Sequence, residues 1–401
     1  MKKSPWSILL LIAFAALIGS LTGTREPFFT FYELTGRLFL NGLTLVVVPL
    51  VMSSILTGVA RIGGEEKLGR LGLKMFSFYI GTSLLAVLIG LVMVNLIHPG
   101  SPDLLGSAPA VPTVSEGKQL LEIFYQIVPA NMFQALSQGQ MLGLVFISVL
   151  FGYALSFVKT PGGTTLFSFF EGVFQTMLKF TQLIMKVLPL GVFCLVAKTF
   201  AVSGIGALGS LSLFVLTVIS GLAVFTFIAL PLLLKFVGRV SPVRHFQAMM
   251  PALVTAFSTS SSSASLPITI DCVEKRAGVS NRICSLVVPL GTSINMSGSA
   301  LYECVAAMFV AQIYGTDLSF PMQFAIAFLS LVMSMGVAGI PGGSLVAILV
   351  ILKTFGLPAE ALGLFLAVDR ILDMCRTTVN VFSDATCAVL VARSEGEELF
   401  R

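Results

Sequence analysis

Apolar stretches recur along the chain at about 7–22, 38–60, 71–97, 120–157, 166–201 and 208–237. A helix of roughly 20 apolar residues spans the hydrocarbon core of a bilayer with its backbone hydrogen bonds made internally, so the pattern predicts six helical units. Pro129 and the patch Gln138-Gly139-Gln140 interrupt the fourth. Between the third and fourth, Pro99–Gln119 has four prolines and no periodicity, which predicts a flexible extracellular loop.

The second half breaks this rhythm. Residues 243–277 rise in hydrophobicity, cross the run Ser258-Thr259-Ser260-Ser261-Ser262-Ser263-Ala264-Ser265, and turn apolar again after Leu266-Pro267. Each flank is too short to cross a bilayer alone, so a re-entrant helix–turn–helix hairpin is expected. A second candidate, 320–356, centres on Val337-Ala338-Gly339-Ile340-Pro341-Gly342-Gly343-Ser344, where glycine lets backbone unwind and proline removes a donor. A full span follows each, at 282–314 and 357–393. Paired broken segments of this kind point to a transporter's binding site near the membrane midplane. The alternative is two ordinary kinked spans whose serines bond back to their own helices.

Composition fits a lipid solvent: 56% of the 401 residues are hydrophobic and 11% charged, against about 25% charged in soluble chains. The net charge of +5 is concentrated in short connections, at Lys2 and Lys3; Arg61, Lys67, Arg70 and Lys74; Lys235, Arg239 and Arg244; and Lys275, Arg276 and Arg282. The long loop has only Lys118. This asymmetry places the N-terminus in the cytoplasm, and the absence of a basic stripe with interleaved aromatics argues against nucleic acid. Met1–Gly23 resembles a signal peptide, but no small-x-small cleavage site follows, and a first membrane helix is expected. Six cysteines (Cys194, Cys272, Cys284, Cys304, Cys375, Cys387) lack metal or redox spacing and read as packing residues. His98 and His245, the only histidines, fall in expected loops, and no phosphate-binding G-x-x-x-x-G-K-[ST] loop is present.

Polar residues inside the spans carry the chemistry. In the last span, Ala361–Arg393, the residues Asp369, Asp373, Arg376, Asn380 and Asp384 follow one another at intervals of four, three, four and four. At about 100° per residue they fall within an arc of about 80°, with Thr377 on its edge. Facing lipid, each charge would cost several kcal/mol, so the stripe faces protein or a water-filled cavity. An internal salt-bridge network is the competing reading. The seventh span contains Ser293-Ile294-Asn295-Met296-Ser297-Gly298-Ser299, which suggests an unwound turn whose carbonyls can ligate a hard cation such as Na⁺. Such residues also simply allow close helix packing. Glu303, deep in the same span, is costly if ionised and is a candidate proton carrier.

With these residues in view, the chain resembles the dicarboxylate/amino acid:cation symporter family. The likeness rests on the serine-rich tip 258–267, Asn295-Met296-x-Gly298-x-Ala300-Leu301-Tyr302, Gly339-Ile340-Pro341-Gly342, and Asp373-x-x-Arg376-Thr377-x-x-Asn380-Val381-x-x-Asp384. The resemblance implies an all-α integral membrane fold with inverted repeats: eight transmembrane helices plus two re-entrant helical hairpins, in a homotrimer bathed in lipid. It also implies an elevator-type mechanism. The implied division is 1–70 (scaffold helices 1–2), 71–97 (transport-domain helix 3), 98–119 (extracellular loop), 120–201 (scaffold helices 4–5), 208–237 (transport-domain helix 6), 243–277 (hairpin 1), 282–314 (helix 7), 320–356 (hairpin 2, the gate) and 357–393 (helix 8). Both termini would be cytoplasmic, in a plasma (bacterial inner) membrane.

Carried over to this sequence, the family pattern gives Arg376 the substrate's side-chain carboxylate, a bidentate task suited to guanidinium. Asp373 takes the α-ammonium, and Asn380, Ser261 and Ser262 take the α-carboxylate. Thr377, Ser299, Ile340 and Ser344 complete the implied substrate site. Asp384 with backbone near Asn295 and Asn380 would hold one Na⁺, and Ser293 with carbonyls of hairpin 2 another. Tyr79, Thr82, Ser83 and Asn295 match most of a third site, whose family carboxylate is here Ser297, so that cation is expected to be weak or lost. Ser260 stands where many prokaryotic members carry arginine, and Met374 does not replace it; Arg370 is the candidate substitute, alongside a role pairing with Asp369 or Asp373. Glu303 matches an acidic residue linked to proton coupling. Having both Asp373 and Arg376 favours L-glutamate or L-aspartate with Na⁺ and/or H⁺ as the coupling ions and no other cofactor. The same architecture carrying C4-dicarboxylates or neutral amino acids, or an anion-conducting channel, remains the alternative. An intramembrane enzyme would need a nucleophile–base pair, and Ser261 alone does not supply one.

Overall fold

The most polar spans are also the most enclosed. The computed structural model describes residues 5–63, 69–100, 125, 128–138, 140–184, 186–203, 207–316, 318–336, 343–366 and 368–400. Nearly all of the loop expected at 99–119, and the 339–342 turn with Ile340, lie outside these residues. Among the described residues every regular element is helical. Four helices among the described residues are long and apolar enough to cross a membrane: Phe28–Arg61, Arg70–Ile97, Leu211–Phe236 and Asn281–Ile313. A fifth is counted if Pro161–Ile184 and Pro189–Lys198, bent by 60°, are one span. The apolar window of Asn281–Ile313 is 94% buried inside the protein, against 39% for Arg70–Ile97. Its Asn295, Ser297 and Glu303 are enclosed by protein rather than lipid.

The helices, in chain order, are α1 (Pro5–Thr22), α2 (Phe28–Gly63), α3 (Gly69–Ile97), α4 (Met132–Gln138), α5 (Met141–Ser156), α6 (Pro161–Ile184), α7 (Leu188–Ser203), α8 (Ala207–Val224), α9 (Leu230–Phe236), α10 (Pro242–Thr259), α11 (Ser262–Asp271), α12 (Asn281–Ile294), α13 (Ser297–Ile313), α14 (Phe320–Gly336), α15 (Gly343–Thr354), α16 (Leu362–Leu366) and α17 (Asp369–Ser394). They pack in two groups. Helices α1, α2, α5, α6 and α7 lie against one another, while α3, α8 and α10 to α15 gather around α13 and α17. Helices α14 and α15 touch α2, and α16 touches α7, across the divide.

Proline shapes several of these elements. Pro231 has no N–H and crowds the carbonyl four residues back, and the turn before it widens to a π turn at Phe225–Ala229. The unit expected at 166–201 is broken instead, beginning at Pro161 and bending before Pro189. The run expected to start at 38 begins at Phe28, and the Glu33–Arg37 i,i+4 ion pair of 2.7 Å lets the added turns carry charge. The last span likewise divides, with α16 ending at Leu366 and α17 starting at Asp369.

The serine-rich segment is a helix–turn–helix. Ser260 takes the left-handed conformation (φ 51°), and the Ser261 side chain caps α11 by accepting from Ala264 N at 3.2 Å. Both legs pack on α17. One sequence expectation fails here: His245 is not in a loop. It lies fully buried in the first turns of α10, where its Nε2 shares a 3.3 Å hydrogen bond with Thr386 of α17. The amphipathic leg presents this histidine to the core, a direction that a local loop assignment cannot reveal. All six cysteines are free thiols, five buried and Cys375 half-buried, as packing residues would be.

Candidate functional site

The stripe on the last helix closes partly on itself. Arg376 Nη2 donates to Asp369 Oδ1 at 2.9 Å and to Asp373 Oδ1 at 3.1 Å. Its guanidinium lies 3.9 Å from the ring centroid of Tyr302, and the Tyr302 hydroxyl donates to Asp369 Oδ1 at 3.2 Å. Arg370 Nη1 stands 3.7 Å from Asp373 Oδ2. The salt-bridge reading of the stripe is thus realised, but only for one edge of the guanidinium. Arg376 is 2% exposed, and its Nε and Nη1 are buried with no hydrogen-bond partner. A buried guanidinium with two idle donors carries a penalty that a purely structural pair would avoid. Nε and Nη1 flank the occupied Nη2 rather than forming one fork, so each leaves a separate charged N–H open to an acceptor such as a carboxylate.

One helical turn further, Asn380 ties the last helix to the broken span. Helix α12 ends at Ile294, Asn295 and Met296 leave helical geometry, and α13 begins at Ser297. The unwinding expected from the Ser/Asn/Gly composition is therefore present. Asn380 Oδ1 accepts from Gly298 N at 2.7 Å, while its Nδ2 donates to Ser299 Oγ at 3.2 Å. Gly298 is required by space: a Cβ there would lie 2.9 Å from Arg376 O and 3.1 Å from Asn380 Oδ1. Thr377 is buried beside this contact.

Behind it lies an oxygen-rich cluster. Asn295 Oδ1 accepts from Thr82 at 3.2 Å, Ser83 at 3.1 Å and Ser297 at 3.0 Å. Asn295 Nδ2 donates to Asp384 Oδ1 at 2.9 Å and to Ser383 Oγ at 3.1 Å. Ser297 Oγ shares hydrogen bonds of 3.1 Å with both Ser83 and Ser383. The Tyr79 hydroxyl donates to the Val287 carbonyl nearby. Gly291 lets Asp384 and Tyr79 approach, since a Cβ would stand 2.8 Å from Asp384 Oδ1 and 3.2 Å from the Tyr79 hydroxyl. The oxygens suit a hard cation, and Asp384 supplies a charge. The edge formed by Thr82, Ser83 and Ser297 is different: it is neutral, and its hydroxyls already satisfy one another.

Most of the sequence-derived residues converge here, with exceptions. Ser262 and Ser344 are buried and Ser261 is half-buried in its capping role. Glu303 is fully buried on α13, and neither carboxylate oxygen has a hydrogen-bond partner. Ser293 is exposed and takes no part in the Asn295 cluster; the turn of its expected partners lies outside the described residues. Sequence reasoning gave no role to Tyr302, Ser383 or the His245–Thr386 pair. Tyr302 and Ser383 directly precede Glu303 and Asp384, so adjacency was the available signal. Buried polar side-chain atoms without a partner number eight among the described residues, and six of them belong to Ser260, Glu303, Arg370 and Arg376.

Comparison with known proteins agrees with this geometry. The model of the sodium:dicarboxylate symporter family matches residues 6–394. The chain is 37% identical over 375 residues to the proton/sodium-glutamate symport protein of Bacillus subtilis (strain 168), covering 92% of this chain and 87% of that one. It is 32% identical over 416 residues to the proton/glutamate-aspartate symporter of Escherichia coli (strain K12), covering 98% and 94%. Human excitatory amino acid transporter 3 is 32% identical, with 99% of this chain and 87% of that protein aligned. These relatives are transporters and not enzymes, and the match runs through the broken span and the charged stripe alike: the chain belongs to the sodium:dicarboxylate symporter family.

Proposed function

We propose that this protein is a secondary active symporter that carries an acidic amino acid, L-glutamate or L-aspartate, with Na⁺ and/or H⁺. The observation that carries this reading is Arg376, buried with Nε and Nη1 unpartnered while Nη2 is held by two aspartates. The side-chain carboxylate of the substrate accepts from an idle N–H of this guanidinium. Asp373 then receives the α-ammonium, and Asn380, Ser261 and Ser262 the α-carboxylate, with Thr377 and Ser299 beside them. Ile340 and Ser344 belong to the second hairpin, which closes over the cargo. Tyr302 and Asp369 hold the guanidinium in place.

For the ions, Asp384 with backbone at Asn295 and Asn380 suits one Na⁺, and Ser293 with the second hairpin a further one. The set of Tyr79, Thr82, Ser83 and Asn295 fits a third cation poorly, because Ser297 adds no charge and is engaged by Ser83, Ser383 and Asn295. Glu303 takes and releases a proton in this reading, with Arg370 and Asp369 as its charge partners around Arg376. The two packing groups support an elevator, in which α1, α2 and α4 to α7 form the scaffold of a homotrimer and the remainder moves. The basic clusters support a plasma-membrane orientation with both termini in the cytoplasm.

Radiolabelled aspartate and glutamate uptake in proteoliposomes, with Na⁺ and pH gradients imposed separately, tests the proposal. Concentrative uptake that collapses without either gradient is expected; uptake that only equilibrates would indicate a channel. A second reading, C4-dicarboxylate transport, is favoured by one observation: Arg370 places another guanidinium against Asp373. Competition by succinate as strong as that by aspartate would select it.

A further inference from the structure

The last helix does not fray at its end. Gly396 takes φ 87°, and its N–H and that of Glu397 bond back to Arg393 O (3.0 Å) and Ala392 O (3.0 Å), closing the helix with a left-handed glycine cap. This cap aims residues 397–400 across the base of the hairpin formed by α10 and α11. Glu397 Oε2 accepts from Ser280 N at 2.9 Å, and Phe400 N donates to Ala277 O at 2.9 Å, both just beyond the second leg. The Phe400 ring meets His245, on the first leg, edge-to-face at 6.2 Å. Leu399 and Phe400 pack against the buried core. Gly278 takes the left-handed conformation (φ 82°) where the segment crosses, with Phe400 N 3.7 Å and Leu399 Cα 4.0 Å from its Cβ position, an ordinary contact distance.

The same segment is anchored from the other side. Arg393 Nε donates to Gly238 O at 3.1 Å, after α9, and its Nη1 to Glu397 O at 3.0 Å. Lys74, on α3, donates to Ser394 O at 3.0 Å and forms an ion pair with Glu395. Residues 393–400 thereby touch α3, the end of α9 and both feet of the hairpin.

We infer that residues 395–400 are a strap that positions the hairpin 242–276 on the last helix, locking its feet so that its serine tip keeps a fixed register with Arg376 and Asn380. The inference rests on the proposed sharing of one cargo by that tip and that helix. Phe400 and Glu397 are positioning residues, remote from the cargo. Without them the base of the hairpin opens locally, exposing what lies beneath and loosening the tip.

Two native thiols report the opening. Cys272, 1% exposed on the second leg, and Cys284, 0% exposed with its Sγ 3.6 Å from Val279 O, lie at the strapped base. Cys194 on α7 is buried in the other helix group and serves as control. In the protein reconstituted in proteoliposomes, N-ethylmaleimide labelling of Cys272 and Cys284 should accelerate about ten-fold in Phe400→Ala, which loses the ring's packing, and in Glu397→Ala, which loses the hydrogen bond from Ser280 N, each a shift of a local opening equilibrium. Cys194 should stay unchanged, the KM for the transported substrate should rise several-fold with the maximal rate less affected, and Phe400→Tyr should restore both. Unchanged labelling in both alanine variants would overturn the strap, as would equal acceleration at Cys194, which signals global loosening. Faster labelling with an unaltered KM would overturn the positioning role. The labelling arm does not depend on which substrate is carried, so it stands or falls apart from the acidic amino acid reading.

Discussion

Replacing Arg376 by lysine isolates the feature on which the proposed function rests. The guanidinium divides its work: Nη2 is engaged by Asp369 at 2.9 Å and Asp373 at 3.1 Å, and Nε and Nη1 are left open on either side of it. An ammonium keeps the charge but not the planar fork. With two aspartates beside it, lysine spends its ammonium on them and loses the N–H that arginine holds open for the cargo carboxylate. A hydrogen bond between charged groups contributes about 1.5–3 kcal/mol, which corresponds to roughly 10- to 150-fold in affinity. The KM for aspartate and glutamate should rise by that factor in Arg376→Lys. Arg376→Gln, which removes the charge as well, should lose more. Inhibition by an amino acid without a side-chain carboxylate, such as serine, should stay the same or strengthen. Concentration-dependent uptake of labelled aspartate into proteoliposomes measures the first effect, and competition measures the second. If Arg376→Lys retained wild-type KM within about three-fold, the idle donors would not be the carboxylate site.

Other perturbations probe the remaining parts. Glu303→Gln should leave uptake measurable at a fixed pH but flatten its dependence on an imposed pH gradient; a pH profile like that of the wild type would remove Glu303 from coupling. Ser297→Asp adds a charge beside Ser83, Ser383 and Asn295, so Na⁺ should raise the Tm of the variant more than that of the parent, and the Na⁺ dependence of uptake should steepen. An unchanged Na⁺ response would show that the missing carboxylate is not what weakens the third site. Hydrogen bonding to Lys74 holds the Glu395 carboxyl below its ordinary value. A depressed acid stabilises the fold above its unfolded pKa and loses that contribution as pH falls through its folded one. The Tm gap between wild type and Glu395→Gln should therefore be full at pH 7, begin to shrink near the ordinary glutamate value of about 4.3 and close as pH falls through the lower folded-state value; a gap that did not shrink on acidification would mean the pair is not the source.

Much of the site was legible because its constraints are local. The interval of four, three, four and four places Asp369 to Asp384 on one face of any helix, whatever that helix packs against. The unwinding at Asn295 and Met296 and the turn at Ser260 and Ser261 follow from residues that compete with helix hydrogen bonds. Other features were hidden because they depend on distant partners. Phe28–Arg37 looks too polar to extend a span until Glu33 is seen pairing with Arg37 and, at 3.5 Å, with Lys198. His245 looks like a loop residue until α10 turns it toward Thr386.

The sequence alone determined the class, the turn at Ser260 and Ser261, the break at Asn295 and the identity of the charged stripe, since hydrophobic length, side-chain period and local hydrogen-bond competition are properties of a single segment. Only the tertiary structure decided how that charge is spent. Tyr302 lies beneath Arg376 across 74 residues of chain, Thr82 and Ser83 reach Asn295 from α3, and two of the guanidinium's nitrogens are left without partners. Which donors stay unsatisfied is set by the sum of all neighbours in three dimensions, and no segment read by itself contains that sum.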